Sequence, residues 1–152
     1  MPVADDTDGT RSPDKLSVGV FSAAFDRVHY ALAMAAAALA ANQAVDLMFT
    51  MGAVRALEAA RGASMGWEGL APTEDGSAPL AADCALTAKG LAGFEELLSA
   101  VVALGGAVMV CEMGLKAVGL EATRLRPDVP VTEGGLFTFL TAASQRGNLV
   151  FV

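Results

Sequence analysis

The chain is poor in histidine, cysteine and positive charge, and each shortage removes a class of function. It holds one histidine and two cysteines, with ten Lys and Arg against 17 Asp and Glu. A single histidine makes an H-E-x-x-H zinc motif impossible and leaves a His-rich metal site without ligands, so no metal is expected. The formal net charge of −7 provides no cationic excess to neutralise phosphates, which argues against a nucleic-acid partner. No C-x-x-C pair, G-x-G-x-x-G turn or G-x-x-x-x-G-K-[ST] loop occurs. Thioredoxin-type redox, dinucleotide binding and phosphate-loop chemistry therefore have no support, no organic cofactor is expected, and a Ser-His-Asp triad would have to use His29.

Long apolar runs are missing too. A membrane span needs about 20 consecutive apolar residues. "YALAMAAAALAA" (30–41) gives way to Asn42, Gln43 and Asp46, and "LLSAVVALGGAVMVC" (97–111) is broken by Gly105 and Gly106. No stable membrane insertion is expected. The opening "MPVADDTDGTRSPDK" lacks a basic n-region followed by an apolar core. It reads as a flexible tail over 1–14, and the chain as cytoplasmic.

What is present is apolar. Hydrophobic residues make up 54% and charged residues 18% of 152 residues, which excludes disorder for most of the chain and suits one domain over 15–152. That apolar content exceeds what a sheet with one wet face needs. It fits parallel strands buried on both faces, or a subunit that hides further surface in an oligomer. "KLSVGVFS" (15–22), "AVDLMFT" (44–50), "AVMVC" (107–111) and "NLVFV" (148–152) read as strands, with a short one near 129–131. Val28, Leu32, Ala35, Ala36 and Leu39 recur at helical spacing over 26–42, with Asp26 placed to favour the helix start. Further helices are expected from Met51 towards Gly62, over 90–106, over the segment after Cys111, and over 135–147. Residues 62–88 show no sustained periodicity and read as a long loop, either a lid anchored by Met65, Trp67 and Leu70 or a mobile insertion. Strand–helix alternation predicts a three-layer α/β/α sandwich with a mainly parallel sheet.

Cys111 ends an apolar strand and precedes a helical segment. In open parallel sheets, ligands bind outside the carboxyl ends of the strands. A sulfur at a helix start meets unpaired amides that favour thiolate, the nucleophilic form. Glu112 opposes that effect, and cysteine is also a common small core residue, so both readings stand. Ser22, Thr50 and Met51 follow other strands and belong to the same carboxyl-end crevice. Gly134 and Gly135 are either a tight helix entry or a set of backbone amides for an anionic sulfur group. Cys84, in the expected loop, is a possible resolving thiol for Cys111. His29 is read as a structural histidine before a site residue.

Three segments together resemble the DsrE/DsrF-like family: "VGVFSAAFDRVHYALAMAAAALAANQAVDLMFT", "VMVCEMGLKAVGL" and "VTEGGLFTFLTAASQRGNLVFV". The resemblance covers most of 16–152 outside 62–88. It implies a five-stranded sheet, assembly into homo- or hetero-oligomers, and a place in intracellular sulfur relay. In that role Cys111 carries persulfide sulfur between donor and acceptor proteins, as a sulfurtransferase-type carrier. Met113 and Gly114 belong to the Met- and Gly-bearing segment after the cysteine. Gly114 stands where related sequences often carry Ser, and Lys116 where many carry an acid. The competing expectation is a non-catalytic module, for small-ligand binding or assembly, in which Cys111 only packs.

Overall fold

The computed structural model describes residues 14–143 and 147–152. The tail expected over 1–14 therefore lies outside the described residues except for Asp14. Five strands, β1 (Lys15–Val20), β2 (Val45–Phe49), β3 (Ala107–Cys111), β4 (Val131–Gly134) and β5 (Gly147–Phe151), form one sheet in the order β4-β3-β2-β1-β5. Every pairing is parallel. The α-helices are α1 (Phe25–Ala40), α2 (Pro79–Ala88), α3 (Phe94–Ala103), α4 (Glu112–Val118) and α5 (Leu136–Ala143).

The strand order fixes which face each helix covers. From β1 to β4 the chain steps in one direction across the sheet, so right-handed crossovers put α1 to α4 on one face. The last crossover runs back past β1, which puts α5 on the other. Strand alternation matches this division. Val18, Val20, Leu47, Phe49, Val108 and Val110 join Phe25, Val28, Leu32 and Leu39 of α1 in the main core. Met48 and Cys111 turn the other way and meet Phe139 of α5, with Met109 and Leu136 alongside. One eight-residue helix covers that second face incompletely. Phe137, Leu140, Leu149 and Phe151 stay exposed there.

The segment 62–88 differs from the expected loop. It holds a 3₁₀ turn at Gly66–Gly69 and then α2. The predicted anchors do pack: Trp67 stacks on Phe94 with centroids 4.9 Å apart, and its indole donates to Glu95 Oε1 at 2.9 Å. α2 escaped the periodicity test because its apolar residues do not form a buried stripe; only Pro79 is buried. Its start is nevertheless written in the sequence, since proline suits the first helical turn, where an amide has no partner. Two boundaries also shift. β4 begins at Val131, after Pro130, which has no amide to give to a ladder. The helix expected from Met51 is a 3₁₀ segment, Met51–Leu57, entered through Met51 at φ 49°. Asp26 serves less as a helix cap than as a tether: its carboxylate accepts the amide of Arg27 at 3.1 Å and that of Glu74 at 3.0 Å.

Among the described residues, no helix is long and apolar enough to cross a membrane.

Candidate functional site

Cys111 is the last residue of β3, and α4 begins at the next residue. The residue is 1% exposed. Its sulfur faces the α5 side, against Met48, Phe139, Met109 and Leu136. It contributes to the wall of a cavity of about 400 Å³, together with Glu112, Met113, Lys116, Gly135 and Leu136. The strand register sets Gly134 directly beside Cys111. A Cβ on Gly134 would come within 2.9 Å of Met109 Cε, the movable end of a flexible side chain. Gly135 then leads into α5, its carbonyl accepting the Phe139 amide at 3.1 Å.

α4 is only two turns long, and Cys111 caps it with backbone alone, without a side-chain hydrogen bond. Its buried side rests on the 3₁₀ segment through Gly114 and Leu115, while Glu112, Met113 and Lys116 are exposed. Glu112 and Lys116 are four residues apart on one helix face but form no ion pair with each other. Lys116 therefore offers the cavity beside Cys111 an ammonium not held by that neighbour. Its contribution was not readable from the sequence, because only the length of α4 and its seating bring it to the same opening as the sulfur.

The remaining expected site residues divide. Thr50 lies one step beyond the Phe49–Val110 pair, level with Cys111, and continues β2 in an extended conformation. It is 4% exposed, and its hydroxyl has no hydrogen-bond partner. Met51 abuts α4 rather than the cavity: its amide nitrogen lies where a Cβ on Gly114 would go. Gly114 is thus a contact between backbones and not a cavity residue. Ser22 sits at the end of β1, two strands from β3, and its hydroxyl accepts the Ala24 amide at 3.1 Å; it does not border the cavity.

Cys84 is on α2, not in a loop, and it is exposed. α2 belongs to the α1 side of the sheet while the sulfur of Cys111 faces α5, so the fold does not bring the two thiols together. Both are free. His29 donates from Nε2 to the Ala92 carbonyl at 2.9 Å and packs against Phe25, with ring centroids 5.7 Å apart. Leu136, on the cavity wall, and the buried Arg126 were not singled out in the sequence. Arg126 binds both Glu95 oxygens at 2.8 Å and Asp128 at 2.7 and 2.9 Å. These partners push its pKa well above the usual guanidinium value and hold the Asp128 carboxyl below its usual range.

The architecture is that of an open parallel α/β protein with a cysteine at the carboxyl end of an inner strand, bordering a small cavity. The sequence model of the DsrE/DsrF-like family matches residues 23–151. The chain belongs to that family, which is associated with sulfur relay. The crystal structure of the ychN protein from E. coli is similar over 91% of this chain and 97% of that one, with a TM-score of 0.53 and 17% sequence identity. That likeness concerns the fold. No curated protein matches the chain.

Proposed function

We propose that this protein carries sulfane sulfur as a persulfide on Cys111. The observation that carries the reading is the position of Cys111, at the carboxyl end of β3 on the wall of a cavity it shares with Gly135 and Lys116. The Cys111 thiolate attacks the terminal sulfur of a donor persulfide R–S–SH. A new S–S bond forms, the donor's S–S bond breaks, and R–S⁻ leaves with the electron pair. The terminal sulfur then extends into the cavity, where the Lys116 ammonium favours its anionic form and Glu112 counters it. The reverse attack, by an acceptor thiolate on the outer sulfur of Cys111, hands the sulfur on and restores the thiol. With Cys111 only 1% exposed, exchange runs through the cavity, with a donor group narrow enough to enter beside Leu136 and Met113. In this reading the protein works in the cytoplasm among donor and acceptor proteins. The exposed Phe137, Leu140, Leu149 and Phe151 on the α5 side suit self-association.

The test uses reduced protein, incubated with a small-molecule persulfide and analysed by mass spectrometry. One added sulfur atom is expected on the peptide holding Cys111, also in a Cys84→Ser background. Equal labelling of wild type and Cys111→Ser ends the proposal. The same burial favours a second reading, a binding or assembly module in which Cys111 only packs. Thiol titration separates the two. Labelling of Cys111 by a small alkylating reagent as slow as global unfolding supports the module, and faster labelling supports the carrier.

A further inference from the structure

A larger hollow, about 620 Å³, opens on the other side of the sheet, between the first turns of α1 and one face of α2. Its size falls within the roughly 300–1,000 Å³ of small-ligand sites. The base is apolar: Phe25, fully buried, meets Ala82, Ala85 and Leu86, which share a face of α2 at helical spacing. The rim is acidic. Asp26, Glu74 and Asp75 border it against a single ammonium, that of Lys89.

The Asp26 and Asp75 carboxylates are held in place. The Glu74 amide is bound by Asp26, which ties the 73–77 turn to α1. Within the turn, Asp75 accepts the Thr73 hydroxyl and the Ser77 amide, and Thr73 and Ser77 also bond each other. The Thr73 and Ser77 bonds hold the Asp75 carboxyl below its usual range. His29 also lines the hollow. Its Nε2 donates to the Ala92 carbonyl, which can only accept. Tyr30, a residue 67% exposed, stands at the edge. Acceptors and aromatic rings thus dominate the lining, above an apolar base.

We propose that this groove binds a small organic cation, an amine or guanidinium attached to an apolar body. The body lies on Phe25 and the α2 alanines. The cation sits among Asp26, Glu74 and Asp75 and against the Tyr30 ring, where charge attraction and the ring quadrupole act in the same sense. The site is independent of Cys111, which faces the opposite side of the sheet.

Trp67, the only tryptophan, lies 5.6 Å from the Phe25 ring, so its emission is a reporter for the base of the groove. The full chain is titrated with 2-phenylethylamine, and in parallel with 3-phenylpropionate and 3-phenylpropionamide as anionic and neutral counterparts. Saturation-transfer NMR on the same probes supplies a readout that does not depend on Trp67. The amine is expected to bind saturably and about tenfold tighter than either counterpart, as roughly 1.4 kcal/mol of charge preference requires. Glu74→Gln and Tyr30→Ala, both at exposed positions, each weaken it about threefold, the effect of one exposed charge or ring. Lys89→Met tightens it. Equal binding of the three probes, preference for the carboxylate, no binding of the amine at millimolar concentration, or indifference to both weakening substitutions overturns the assignment.

Discussion

Replacing Gly114 by alanine sets two effects of known size against each other. Gly114 lies within α4, and alanine is a better helix former by about 1 kcal/mol. On an isolated helix the substitution would stabilise. Here a Cβ at 114 would lie under 3.0 Å from the Met51 amide nitrogen, 3.0 Å from Val54 Cγ1 and 3.1 Å from the Thr50 carbonyl carbon. Two of those atoms are backbone at the entry to the 3₁₀ segment, so rotamer changes cannot relieve the clash, and α4 must lift away. Overpacking of this kind costs about 1–3 kcal/mol. A clash with backbone takes the upper part of that range, about 2–3 kcal/mol, so the clash wins, with a net loss of about 1–2 kcal/mol once the propensity gain of about 1 kcal/mol is subtracted. In a protein of this size that is a fall in Tm of roughly 2–8 °C. Thermal and urea unfolding followed by circular dichroism measure it. Gly69→Ala is the control: no atom lies within 4 Å of its added Cβ, and its stability should stay within about 0.5 kcal/mol of wild type. Because α4 starts directly after Cys111, the variant should also alter the labelling rate of that thiol. A Gly114→Ala protein that melts at or above wild type refutes the reasoning.

Thr50→Val removes a buried hydroxyl without a partner while keeping the side-chain shape. An unsatisfied buried polar group costs about 1–3 kcal/mol, so the variant should be as stable as wild type or gain up to about 1 kcal/mol; a lower urea midpoint would show that the hydroxyl is bonded. Asp128→Asn probes the Arg126 pair across pH. The folded Asp128 carboxyl is held below its usual range, chiefly by its hydrogen bonds to Arg126, so the unfolded chain takes up the proton first as pH falls. The pair's contribution is therefore full above the ordinary carboxylate pKa of about 4 and disappears as pH drops through the folded value. With Asp128 62% exposed, it should stay below about 1 kcal/mol. The stability difference between wild type and variant, measured from pH 7 to pH 3, should be constant and then close; a difference that grows on acidification contradicts the assignment.

Much of the fold was legible because the signals were local. Apolar runs of four to six residues between turns mark β1, β2, β3 and β5, and the 3.6-residue spacing of Val28, Leu32, Ala35 and Leu39 marks α1. Where the signal is not an apolar pattern, sequence reading failed. α2 fully buries only its first residue, and the short face of Ala82 and Leu86 that it turns inward is too slight an apolar pattern to stand out in the sequence. β4, expected near 129–131, lies a few residues later: its exposed Thr132 and Glu133 carry no apolar alternation, and Val131–Gly134 is a strand because it pairs with β3.

By itself the sequence determined the alternating α/β order, the absence of metal and nucleotide motifs, and the place of Cys111 at a strand end, since each depends on residue type and near-neighbour spacing. Tertiary structure alone decided what surrounds the sulfur. Strand alternation turns it to the face covered by the short α5, α4 brings Lys116 to the same opening, and Cys84 and Ser22 are left elsewhere. It also made the acidic groove, by folding a segment that looks structureless against α1. Such neighbourhoods follow from crossover handedness and sheet order, which join residues distant along the chain and leave no trace in the spacing of either.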